Sequence, residues 1–122
     1  MLSDTELEKY RQGWQQRRAQ KEKELQNKKK LGRKKAFKIA QLLKENYNVK
    51  KVFLFGSISD KSSSRVHQHS DIDIAYVSEK INYLQAFGDV LDIAAPFKVD
   101  LVPLNEATPK LKKRIKLYGE EI

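Results

Sequence analysis

Apolar residues recur along this chain with two alternating rhythms, one helical and one strand-like. Ser3-Asp4-Thr5-Glu6 places a hydroxyl at a helix start and a carboxylate three residues on, the arrangement of a capping box. Leu7, Tyr10 and Trp14 follow at i, i+3 and i+7, a short apolar stripe. Beyond Trp14 the stripe thins to Ala19 and Leu25 among charges, and Gly32 is the expected break. A second helix is predicted over residues 33–47, with Ala36, Ile39, Ala40, Leu43 and Tyr47 on one face. Residues 52–55 read as a buried strand ended by Gly56, and residues 58–70 as a polar, serine-rich loop. Residues 71–77 alternate carboxylate with apolar side chain, a strand signature. Helical spacing returns over 81–93 through Leu84, Phe87, Val90 and Leu91. A strand follows over 97–104, and Pro109 opens a last helix carrying Leu111, Ile115 and Tyr118. The order helix, strand, strand, helix, strand, helix predicts an α/β layer structure with a small sheet.

Composition narrows the reading. At 122 residues the chain has room for one compact core, and its 39% hydrophobic and 34% charged residues describe a modest core under a charged surface. No apolar run approaches the length needed to span a bilayer, and Asp4, Glu6, Glu8 and Lys9 rule out an N-terminal signal peptide, so the expected location is the cytoplasm. The absence of cysteine excludes disulfides, cysteine–zinc sites and thiol catalysis. The net charge of +9 is unevenly spread: residues 1–35 hold 12 Lys/Arg against 5 Asp/Glu and so carry most of it. The predicted organisation is therefore a basic helical extension over residues 1–32 and a compact domain over 33–122. A basic segment attracts RNA or an acidic protein partner, and direct nucleic-acid binding is the less favoured of the two.

Three features carry candidate chemistry. A hydrophobic strand runs into Gly56-Ser57, where glycine permits close backbone approach and a hydroxyl with free N–H groups can hold phosphate oxygens. Asp71-Ile72-Asp73 puts two carboxylates on one strand face, where they repel unless a cation lies between them. Oxygen-only ligands select hard cations, Mg²⁺ or Mn²⁺. Asp100 stands within the apolar run Val99-Asp100-Leu101-Val102 and needs a cation, a hydrogen-bonding partner or an exposed face. It is either a third metal ligand or the base that deprotonates an attacking hydroxyl.

Taken in order, Val52-Phe53-Leu54-Phe55-Gly56-Ser57, then Ser70-Asp71-Ile72-Asp73-Ile74-Ala75, then Val99-Asp100-Leu101-Val102, the chain resembles the minimal nucleotidyltransferases (MNT) of the DNA polymerase β superfamily. Within them it is most similar to the MNT antitoxins that accompany HEPN ribonuclease toxins. The resemblance covers about residues 36–122 and implies a small mixed β-sheet flanked by helices. It implies that Asp71, Asp73 and Asp100 are catalytic and bind two Mg²⁺ ions, that Gly56 and Ser57 hold the triphosphate of ATP, and that Asp100 activates the acceptor. The family's usual basic residue after Gly-Ser is replaced here by Ser59-Asp60-Lys61, which leaves Lys61 and Arg65 as candidates to face the phosphates. His67 and His69 are read as loop residues, not metal ligands.

The implied function is transfer of AMP from ATP to a tyrosine of a HEPN toxin, which neutralises it. The alternatives are an antitoxin that acts by stoichiometric binding alone, and a nucleotidyltransferase acting on RNA or a small molecule. Three clustered acids favour the enzyme over the pure binder, and the small size leaves little room for the acceptor domain that the last alternative calls for.

Overall fold

The computed structural model describes residues 3–59 and 70–122. Its first element is one helix, α1 (Asp4–Asn46), where two were expected. The Ser3 hydroxyl accepts the Glu6 N–H at 3.2 Å, so the predicted cap forms. The helix runs through Gly32 without a break because Gly32 is a packing position. It is buried, and a Cβ there would lie 3.1 Å from the Ile58 side chain. Glycine costs a helix about 1 kcal/mol relative to alanine, and the close contact offsets that cost. The helix ends at Tyr47, whose N–H and that of Val49 both reach the Leu43 carbonyl, with Asn48 in the left-handed region at φ 53°.

The remaining elements are β1 (Lys51–Phe55), a 3₁₀ turn (Gly56–Ile58), β2 (Ile72–Val77), α2 (Tyr83–Ala94), β3 (Val99–Pro103), a second 3₁₀ turn (Leu104–Glu106), α3 (Pro109–Tyr118) and β4 (Glu120–Glu121). Asn82 caps α2 and Thr108 caps α3, the latter with Pro109 in the first turn. The sheet order is β3-β2-β1-β4, with β1 antiparallel to β2 and β4, and β2 parallel to β3. The sheet is therefore mixed, as the resemblance implied. β4 was not foreseen: two residues are too few to show a period.

Alternation across the strands divides the core. Val52, Leu54, Ile72, Ile74 and Leu101 face α1 and α2, packing on Ala36, Ile39, Leu43, Ala86 and Val90. Phe53, Phe55, Ala75 and Val77 face the other way, toward Ile115 and Leu111 of α3. α1 runs antiparallel to β1. Lys44 bonds the Ile122 carbonyl near the start of β1, Arg33 forks onto Glu120 at 2.7 and 2.8 Å beside Leu54, and Gly32 meets Ile58 beyond its end. No described helix is long and apolar enough to cross a membrane.

Candidate active site

The end of β1 and the starts of β2 and β3 lie at one end of the sheet. In the antiparallel β1–β2 pair Phe55 sits opposite Asp73, and in the parallel β2–β3 pair Asp73 sits opposite Asp100. Register alone thus puts Asp73 and Asp100 side by side on the same face, away from α1. Asp71 precedes β2 by one residue and is exposed, as is Asp100, whereas Asp73 is half-buried.

Burial, then the charge of Asp100, then that of Asp71, push the Asp73 carboxyl from its ordinary acidic range up to about 7. Among the described residues, no three acidic or histidine side chains stand close enough together to hold a metal ion. The three carboxylates share a field without forming a closed cage. The donor set nevertheless fits a hard divalent cation: it is all oxygen and it is anionic.

The Gly56-Ser57 turn is shaped around Asp73. Gly56 has φ +74°, and a Cβ on it would lie 2.1 Å from Oδ2 of Asp73. Glycine is required here twice over, by backbone conformation and by the carboxylate that passes over it. Ser57 Oγ and Ser70 Oγ are hydrogen-bonded at 2.8 Å, which ties the turn to the start of β2.

Lys61, Arg65, His67 and His69 lie outside the described residues. Other side chains reach the site that the sequence reading did not single out. A cavity of about 590 Å³ adjoins Asp71 and Ser70 and is bordered by Phe97, Lys98, Lys28 and Leu31. Its volume is in the range of small-molecule sites. Lys28 Nζ lies 5.6 Å from the centre of the Phe97 ring. Tyr83 donates its hydroxyl to the Leu101 carbonyl at 2.9 Å, and its own ionisation is pushed up by burial and by Asp100. None of these had a signal in the sequence, since each is brought to the site by packing and not by a local motif.

The sequence profile of the family described as "Polymerase beta, Nucleotidyltransferase" matches residues 37–122. Among solved structures, a toxin–antitoxin complex with AMP-PNP is 30% identical over 70% of this chain and 70% of that one, with a TM-score of 0.57. A mutant MntA–HpeT toxin–antitoxin is 29% identical over 70% of both chains, with a TM-score of 0.56. A tri-AMPylated HEPN toxin of Shewanella oneidensis in complex with its MNT antitoxin is matched at 25% identity over 74% of this chain and 70% of that one, with a TM-score of 0.53. No curated protein matches the chain.

Proposed function

The chain belongs to the polymerase β nucleotidyltransferase family, and from that membership we propose that it is an antitoxin that transfers AMP from ATP to a tyrosine of a HEPN toxin. The observation that carries the enzymatic reading is the pairing of Asp73 with Asp100 in register, with Asp71 adding its charge, beside a glycine turn moulded to Asp73. A protein that acted by binding alone would have no physical need to crowd three acids at the cost of raising one of them.

In this reading the acceptor hydroxyl oxygen attacks the α-phosphorus of ATP. The new P–O bond forms as the α–β bridging P–O bond breaks, pyrophosphate leaves, and the hydroxyl proton passes to the Asp100 carboxylate. Asp71, Asp73 and Asp100 would hold Mg²⁺, which when bound supplies charge neutralisation of the triphosphate and of the leaving pyrophosphate. Gly56 lets the turn approach the phosphates without a side chain in the way, and Ser57 adds a hydroxyl beside them. Phe97 offers an aromatic face for the base, and Lys28 and Lys98 offer positive charge at the border of the same cavity. The acceptor reaches the acids from the sheet face opposite α1.

Incubation with ATP, Mg²⁺ and the HEPN protein, followed by intact mass spectrometry, tests this. The expected result is addition of whole AMP units that disappears with Asp73→Asn, a loss of several orders of magnitude in rate. Neutralisation of the toxin with no change in its mass would instead establish the binding-only alternative.

A further inference from the structure

The N-terminal half of α1 lies outside the family match and outside the fold's core. Every residue from 4 to 24 except Gly13 is exposed. Its stripe is nevertheless in phase with the buried half. Trp14 and Gly32 are 18 residues apart, as are Arg18 and Ala36, Lys21 and Ile39, and Leu7 and Leu25. Eighteen residues make five turns at about 3.6 residues each, so each pair shares one side of the helix. The side on which Gly32, Ala36 and Ile39 bury themselves against the domain is thus the side on which Trp14, Arg18 and Lys21 stand in the open. Because α1 passes the Gly-Ser end of the sheet at Gly32, residues 4–24, a helix about 30 Å long, project beyond that end, and the segment's base at Glu24 borders the cavity beside Asp71.

That stripe has a definite chemistry. Leu7, Tyr10 and Trp14 are 44%, 60% and 70% exposed, in the i, i+3, i+7 spacing with which a helix lies in an apolar groove. Arg18 and Lys21 continue the line toward the domain, Arg11 flanks it, and Arg17 lies 5.9 Å from the Trp14 ring centre. Of the five acids of residues 4–24, Glu6, Glu8 and Glu24 lie away from this line, while Asp4 and Glu22 stand at its edge, at the azimuth of the buried Ala40.

We propose that residues 4–24 are a docking arm for the acceptor protein, which presents an apolar groove for Leu7, Tyr10 and Trp14 with a carboxylate-bearing rim for Arg11, Arg18 and Lys21. This rests on the reading that the acceptor is a protein. An arm continuous with the packed half of α1 tethers the acceptor to the domain and raises its effective concentration at the site. A second copy is disfavoured as occupant because it would set one cationic stripe against another. RNA is disfavoured because the aliphatic Leu7 offers no stacking face and the anchors follow helix-in-groove spacing.

Trp14 is the single tryptophan of the chain and so reports directly on the arm. Its fluorescence is followed in the full-length protein as the HEPN protein is added, with single-stranded RNA as a separate titrant. Docking is expected to shift the emission to the blue and to protect it from iodide, with the HEPN protein and not with RNA. Tyr10→Ala should weaken that binding at least tenfold. Arg18→Glu with Lys21→Glu should weaken it at least tenfold and slow association. Both variants should leave ATP binding unchanged. The same shift with Asp73→Asn and no AMP transfer would uphold docking while separating it from catalysis. AMP transfer to the HEPN protein with Trp14 unperturbed and both variants neutral would overturn the arm and leave the proposed function standing. A response to RNA alone, or none to the HEPN protein, would also overturn it.

Discussion

Residues 4–24 and 32–46 belong to one helix and carry one stripe in one phase, yet the second half is buried and the first is open. The difference lies in what occupies the stripe. Gly32, Ala36, Ile39 and Leu43 are small or aliphatic and let the helix close onto the sheet. Trp14, Arg18 and Lys21, at the same azimuth, are bulky or charged and stand exposed. Period alone says which side of a helix is special; residue type says whether that side faces the protein's own core or a partner.

The sharpest way to break this comparison is to exchange residues across it. Ile39→Lys places an unpaired charge in a fully buried position and should cost about 4 kcal/mol or more, enough to unfold much of the population. Lys21→Ile, the reverse change at the equivalent turn, should alter stability by less than about 0.5 kcal/mol. Urea unfolding of the two variants measures both, and similar costs would show that the N-terminal half is packed after all. A milder version uses one residue type. Leu43→Ala should cost about 2–4 kcal/mol because the side chain is fully buried, and Leu7→Ala close to nothing.

Charge gives the same contrast on a smaller scale. Arm cations are solvated, whereas Asp73 is half-buried beside two other acids and pushed up to about 7. With its folded-state value above the unfolded value of about 4, the folded protein binds more protons between those limits, so stability falls as pH rises from about 4 to 7. Asp73→Asn removes that loss. In the presence of a chelator it should be more stable than the parent by about 1–2 kcal/mol at pH 8, allowing for solvent screening, and by nothing near pH 4. Thermal unfolding across that range reads the difference, and an Asn variant less stable than the parent at pH 8 would refute the crowding.

Much of this was legible before any coordinates. Local chemistry wrote the cap at Ser3, the opening of α3 at Pro109, the alternation in β2 and the glycine before Ser57, so these elements and the α/β class followed from the residues. The expected break at Gly32 failed because a helical glycine looks the same whether it ends a helix or admits Ile58, and only the distant partner decides. β2 came out one residue and β3 three residues shorter than their patterns, since apolar residues also fill the connections. That the three acids share one site was expected from their order, but the parallel register that sets Asp73 directly opposite Asp100 had no signal in the sequence, because strand pairing is a long-range property. The contributions of Phe97, Lys98 and Lys28 at the cavity depend on the same long-range packing.

The smallest expected effect is also the one that bears most directly on the two halves of α1. Removal of residues 1–24 should leave the midpoint of thermal unfolding within about 2 °C, because the deleted side chains bury almost nothing. The arm is nonetheless helical, and the reason is cooperative: the packed half supplies the nucleus, and Lys, Arg, Gln and Glu propagate it outward at little cost per residue. Such a helix should fray from its free end. Amide exchange should therefore be fastest in the first turns of α1, slow progressively toward Leu25, and reach the global unfolding limit only around Ala36 to Leu43. A step in protection at residue 32 would mean two helices that move independently. Uniform protection down to Leu7 would mean that the arm rests on the domain, and its stripe could not then be available to an acceptor. A smooth gradient, with an unchanged unfolding midpoint after the deletion, is what a docking arm carried by the core requires.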